Sequence, residues 1–96
     1  MNFSEALELI KQHKKLARSN WNGFARKDWN AESRMFVYLV KGSQFIVNRK
    51  PLTDFYPEGT EITYRPHIDL RAPDGTCGVW TPSNSDLLQE DWVIIE

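Results

Sequence analysis

Six consecutive apolar residues, Met35-Phe36-Val37-Tyr38-Leu39-Val40, set the hardest condition this chain has to meet. The run is β-branched and aromatic and too short for a buried helix, so it reads as a strand. Side chains alternate across a strand, and here both faces are apolar, so both need cover. A domain of 96 residues buries only about 60–65% of its unfolded surface and folds alone marginally. One N-terminal helix is available to cover one face. A second copy of the chain is the natural cover for the other.

That helix is signalled by Asn2 and Glu5, which have capping-box spacing. Leu7 and Ile10, with Phe3 and Ala6, then recur at helical spacing to about His13, and Lys11, Lys14 and Lys15 crowd the end where cations suit the helix dipole. His13 is expected at the surface. Leu16-Ala17-Arg18 reads as a short strand, broken by Ser19-Asn20-Trp21-Asn22-Gly23. Trp21 either pins that turn onto the core or offers an indole to a ligand. Phe24 to Ser33 is polar and mixed and reads as a mobile loop.

After the apolar run, Lys41-Gly42-Ser43 is expected to turn the chain back into Gln44-Phe45-Ile46-Val47 as a hairpin. Asn48 to Gly59 carries Pro51 and Pro57 and reads as a loop, with Leu52, Phe55 and Tyr56 expected to turn inward. Tyr64-Arg65-Pro66-His67-Ile68-Asp69-Leu70-Arg71 follows. As a strand it puts Arg65, His67, Asp69 and Arg71 on one face and Tyr64, Ile68 and Leu70 on the other. Pro66 has no N–H to give, so the strand is at an edge, bulged or bent there. Asp74-Gly75 signals a turn into Thr76-Cys77-Gly78-Val79-Trp80 and would bring the Trp80 indole near the charged row. Ser83 before Asp86-Leu87-Leu88 marks a capped helical turn, and Asp91-Trp92-Val93-Ile94-Ile95 is a closing strand. The fold class is α+β: a single domain over residues 1–96, with an N-terminal helix packed on a small, mostly antiparallel sheet of five or six short strands.

The net charge of −1 conceals an imbalance. Residues 1–50 hold ten Lys/Arg against four Asp/Glu, whereas residues 51–96 hold two against nine. The halves can complement each other within a sheet or between subunits. A pI of 6.1 argues against a nucleic-acid polymer as partner, since such domains are basic with clustered cations. No apolar run approaches the ~20 residues of a membrane span, and the N-terminus lacks a signal pattern. The lone Cys77 rules out an intrachain disulfide and a Cys-based zinc cage, and it fits a reducing cytoplasm.

No phosphate-loop, dinucleotide-fold, zinc-protease or nucleophile-elbow motif is present. His67 and Asp69 could be a metal pair, an acid/base pair or a hydrogen-bonded structural pair. Two ligands are too few for a catalytic zinc, and neither Ser83, Ser85 nor Cys77 comes with a supporting pattern. Aromatics with Asn, Arg, Asp and Ser suit a binding pocket better than catalysis. Indoles and phenols stack on a base, and Arg grips phosphate bidentately.

Across nearly the whole chain the residues resemble the second Thoeris anti-defence family of bacteriophages. The likeness rests on Asn2-Phe3-x-Glu5-Ala6-Leu7, Ala17-Arg18-x-x-Trp21-Asn22-Gly23, Tyr56-Pro57-Glu58-Gly59-Thr60-Glu61 and Tyr64-Arg65-Pro66-His67-Ile68-Asp69. It continues through Asp74-Gly75, Trp80 and Ser83-x-x-Asp86-Leu87-Leu88-x-x-Asp91-Trp92. The resemblance implies a sponge and not an enzyme. Such proteins sequester the cyclic ADP-ribose isomers made by bacterial TIR-domain proteins and release them intact on denaturation. It also implies a homotetramer or dimer of dimers with pockets between subunits, no cofactor, no metal, and a place in the host cytoplasm during infection. Some relatives also bind cyclic oligonucleotides, so a sponge for those signals stands as an alternative, as does a small protein-interaction module. This chain departs from the family in a longer stretch between Gly23 and Met35. From residue type and motif position, Trp21 and Trp80, with Tyr64, are the expected stacking groups. Asn22, Asp69, Asp74 and Ser83 are expected at ribose or base, and Arg18, Arg65 and Arg71 at phosphate.

Overall fold

A computed structural model describes residues 1–21 and 35–95. The first helix, α1 (Phe3–Lys11), starts where the spacing places it: the Asn2 side chain accepts the backbone N–H of Glu5 at 2.9 Å. It ends two residues short of His13, which turns out of the helix with φ 66°. His13 N–H bonds the Ile10 carbonyl and Lys14 N–H the Leu9 carbonyl, both at 3.0 Å. This is the Schellman closure, with His13 where Gly is usual. No glycine announced it.

Strands β1 (Lys15–Arg18), β2 (Phe36–Val40), β5 (His67–Arg71), β6 (Cys77–Val79) and β7 (Trp92–Ile95) form one antiparallel sheet in the order β6-β5-β2-β1-β7. Strands β3 (Ser43–Ile46) and β4 (Glu61–Tyr64) form a separate two-stranded ribbon. A short helix, α2 (Asn84–Leu88), lies between β6 and β7. Its Ser83 cap and Asp86 satisfy each other's backbone N–H groups, at 3.1 and 2.8 Å.

The core lies under α1. Ala6 and Ile10 of the helix meet Leu16, Val37 and Trp92 of the sheet, and Leu39, Ile68 and Leu70 pack at the margin. All these sheet residues share one face by the ladder registers. Phe3, Trp21 and Trp80 gather around Trp92, with ring centroids 5.3–5.8 Å from it and tilted or edge-on as aromatic quadrupoles prefer. The Trp92 Nε1–H donates to the Asp86 carbonyl at 2.8 Å, so the one polar atom of that buried ring is satisfied.

The expected hairpin at Lys41-Gly42-Ser43 does not form. β2 pairs with β5, with Val40 opposite His67, and β3 pairs with β4, with Ser43 opposite Tyr64. Three steps on one strand match three on the other, so β2–β3 and β4–β5 are the two legs of one long hairpin whose register survives a break. The break is where Pro66 removes a ladder donor. Gly42 lies across from it: a Cβ there would fall 2.5 Å from the Tyr64 carbonyl oxygen and 3.2 Å from Pro66 Cδ. Beyond this point the ribbon leaves the sheet and makes few contacts outside itself, and the molecule is 51 Å long and 28 × 23 Å across. The true reversal spans residues 47–60 and holds a single 3-10 turn, Leu52–Asp54. Phe55 and Tyr56, expected inside, are exposed; within the tip it is Val47, 1% exposed, that is buried. Leu52 is half-buried. Among the described residues there are seven strands rather than five or six, because the break at Pro66 divides the Glu61–Arg71 run into β4 and β5.

Gly42→Ala should cost about 1–3 kcal/mol through this overpacked crossing. The melting temperature would record the loss, and hydrogen exchange should show the ribbon amides of β3 and β4 opening first.

Candidate functional site

The face of the five-stranded sheet turned away from α1 gathers polar, charged and aromatic side chains. Alternation in β5 sends Ile68 and Leu70 to the core and His67, Asp69 and Arg71 to this other face. Register then sets their neighbours. Asp69 lies between Tyr38 of β2 and Val79 of β6, and Arg71 lies between Phe36 and Cys77. The Phe36 and Tyr38 rings are half-buried, tilted against one another with centroids 5.6 Å apart. Lys15 Nζ stands 5.1 Å and Arg71 Cζ 5.9 Å from the Phe36 centroid, within cation–π range. His67 Nε2 lies 3.2 Å from Asp69 Oδ1, and its Nδ1 3.3 Å from the Arg65 carbonyl. The Tyr38 phenol is pushed up to about 12, first by its hydrogen bond to Cys77, then by burial and by the charge of Asp69. The face thus offers two rings, cations and a carboxylate side by side, with a phenol that stays neutral at ordinary pH.

The other predicted residues are distributed elsewhere. Trp21 and Trp80 do meet, with centroids 6.3 Å apart, but on the α1 side and leaning on Trp92. Trp80 was expected near the charged row; it follows Val79 by one residue and so takes the opposite face. Tyr64 and Arg65 lie exposed in the ribbon and at its break, Tyr64 tilted against Phe45 at 5.4 Å. Asp74 closes the β5–β6 turn by accepting from Thr76 N–H at 2.9 Å and Thr76 Oγ1–H at 2.7 Å, which lowers its pKa, and Gly75 supplies φ 87°. Ser83 is spent as a helix cap. Asn22 and the stretch from Phe24 to Arg34 fall outside the described residues.

Arg18 was expected at a phosphate and is instead enclosed. Its side chain is 11% exposed; Nε donates to Asp91 Oδ1 at 2.9 Å, Nη2 to Asp91 Oδ2 at 3.3 Å, and Nη1 to Asp86 Oδ1 at 3.1 Å. A grip on Asp91 through two nitrogens plus a bond to Asp86 leaves the guanidinium committed to tying β1 to α2 and to the start of β7. The hydrogen bonds to Asp91 raise the Arg18 pKa, and the same contact holds the Asp91 carboxyl below its usual range.

Three residues of the site went unremarked as ligand groups in the sequence: Lys15, Phe36 and Tyr38. The signal was parity, since Phe36 and Tyr38 alternate with core-facing Val37 and Leu39 and so share a side with Asp69 once β2 and β5 pair. Among the described residues no group of three or more His, Cys, Asp or Glu could hold a metal ion. No helix among them is long and apolar enough to cross a membrane.

Residues 1–95 match the family model of the Thoeris anti-defense 2-like domain. The chain belongs to this family. Among curated proteins, Thoeris anti-defense 2 of Bacillus phage SP01 is 33% identical over 95 residues, covering 99% of this chain and 94% of that protein. Family membership thus extends over both the helix-side aromatic cluster and the opposite charged face.

Two pH responses follow from the geometry. Asp91 has a depressed folded pKa, so its contribution is present above the unfolded value of about 4 and is lost as pH falls through the folded one. Asp91→Asn should lower the melting temperature at neutral pH by leaving Arg18 half-paired, at roughly 3 kcal/mol, and flatten the acid decline; an equally steep decline in the variant would contradict this. Tyr38 works in the opposite direction. Its neutral phenol stabilises the fold fully below about 10, and that part fades as pH climbs toward about 12. In an absorbance titration one of the three tyrosines should ionise late, and Cys77→Ala should bring it down.

Proposed function

We propose that this protein captures a cyclic ADP-ribose-type signalling nucleotide and holds it without cleaving it, as an anti-defence sponge. What carries the reading is membership of the Thoeris anti-defense 2-like family over residues 1–95, joined to a sheet face suited to such a ligand. Phe36 and Tyr38 offer planar apolar surface for a base. Arg71 and Lys15 offer charge to a pyrophosphate, and Asp69 an acceptor for ribose hydroxyls. Capture of this kind is stoichiometric: affinity must exceed that of the host effector, and protein must outnumber signal.

The position of the predicted residues also supports a pocket shared between copies. Trp21 and Trp80 lie on one side of the sheet, Asp69 and Arg71 on the other. One chain cannot close both sets on a single ligand. A homo-oligomer, such as a dimer of dimers, brings the helix side of one copy to the open side of another and would enclose the nucleotide. A module that binds another protein is the second reading, and the exposed Ile46, Phe55, Tyr56 and Tyr64 of the ribbon favour it.

Calorimetric titration with cyclic ADP-ribose isomers, then heat release and chromatography of the ligand, tests the reading. Binding with intact recovery is expected, together with a higher melting temperature in the presence of ligand. A chemically altered nucleotide would overturn the sponge and make the protein an enzyme; binding of cyclic oligonucleotides alone would move the ligand class. Trp21→Ala should cost stability as well as affinity, about 3 kcal/mol for an aromatic deleted from a packed cluster. Trp21→Phe, which keeps a ring on Trp92, isolates the loss due to the ligand.

A further inference from the structure

We propose that a cavity in the projecting ribbon is a second binding site, for a small apolar carboxylate: an aromatic or branched aliphatic body carrying one carboxylate group. The cavity holds about 400 Å³ and is lined by Phe45, Ile46, Asn48, Arg49 and Leu52; small-molecule sites run from roughly 300 to 1,000 Å³. None of these residues belongs to the sheet face proposed for the nucleotide, so the two sites stand or fall separately. The chain bordering the cavity is held by its own backbone. Val47 N–H donates to the Thr60 carbonyl and Gly59 N–H to the Val47 carbonyl, both at 2.8 Å. The Leu52 carbonyl accepts from Phe55 and Tyr56 N–H at 3.0 and 2.9 Å. The Tyr64 ring lies 5.4 Å from that of Phe45. Backbone paired in this way shapes the cavity before a ligand arrives, which lowers the entropic cost of binding.

The lining names the ligand. Phe45, Ile46 and Leu52 supply apolar surface, and Asn48 and Arg49 supply polar groups on the same cavity. Both of these are exposed, and neither the guanidinium nor the amide has a hydrogen-bond or ion-pair partner among the described residues. Arg49 thus differs from Arg18, whose donors are filled by Asp86 and Asp91. Its main chain is nonetheless anchored, since the Arg49 carbonyl accepts from Thr53 N–H at 3.3 Å. A guanidinium presents a planar fork that fits a carboxylate through two hydrogen bonds, and the Asn48 amide adds a donor and an acceptor beside it. One cation beside apolar surface balances a monoanion with a hydrocarbon body; a dianionic phosphate would be left half-neutralised. A free acid and the last residue of a peptide both present this chemistry.

The test is an NMR titration of the labelled wild-type protein, Arg49→Gln and Lys50→Gln with 3-phenylpropionate, its neutral amide, phenyl phosphate and N-acetylphenylalanine. Thermal melts establish that the variants are folded. 3-Phenylpropionate should move the amide signals of residues 45–52 with a Kd of about 1 mM, ordinary for a fragment of this size. Arg49→Gln should weaken it about tenfold, the usual scale for one lost charge-assisted hydrogen bond. Lys50→Gln removes an exposed charge next in the chain and should change nothing. N-Acetylphenylalanine binding tighter than 3-phenylpropionate assigns the site to a peptide terminus, and equal or weaker binding assigns it to a free acid; either supports the site. Equal affinity in wild type and Arg49→Gln, or for the acid and its amide, overturns the carboxylate. Tighter binding of phenyl phosphate overturns the ligand class. No shift at millimolar probe, or shifts only on the sheet face of Tyr38 and Asp69, overturns the site.

Discussion

The buried guanidinium of Arg18 is the interaction on which the rest of the structure leans. It stands at the end of β1, next to the core, and its hydrogen bonds reach Asp86 in α2 and Asp91 just before β7. Those two carboxylates frame the segment that delivers Trp92 to the centre of the core and its N–H to the Asp86 carbonyl. A buried cation is costly to desolvate and stays only where its donors are filled. Here both carboxylates come from the acidic second half of the chain and the cation from the basic first half. The charge imbalance along the sequence is therefore cancelled in part across the β1–β7 edge, within one chain.

With that edge fixed, the sheet has two different sides. The α1 side is filled by aliphatic and indole groups that exclude water. The other side grades from buried Ala17 and Ile95 at one edge to exposed Val79 at the other. Between them lie the half-buried rings of Phe36 and Tyr38, the half-buried Asp69 and Arg71, and an exposed Lys15, an environment in which charge interactions are less damped than in open water.

Local chemistry made much of this legible. The Asn2 and Ser83 caps, the Asp74-Gly75 turn, the closing strand and the two-sided character of the Met35–Val40 run can all be read from a few residues each. So can a disturbance at Pro66. What could not be read was how strands choose partners. Lys41-Gly42-Ser43 has the composition of a turn, yet the glycine is there because a carbonyl and a proline ring pass close by, a fact of the opposing strand. Arg18 looked available for a ligand because its partners stand 68 and 73 residues away. Trp80 was placed with the charged row because adjacency in a hairpin says nothing about side until the register is known. Within β5 itself, alternation sorted His67, Asp69 and Arg71 from Ile68 and Leu70 correctly.

The unbroken register across Gly42 and Pro66 has a mechanical consequence. The projecting ribbon is not tethered by a slack loop; both of its strands run directly into β2 and β5, in step. It is a lever arm mounted on the two strands that hold Phe36, Tyr38, Asp69 and Arg71. Any torque applied at its tip enters the sheet through those strands before it reaches the edge where Arg18 sits, so whatever the tip touches bears mechanically on the charged face.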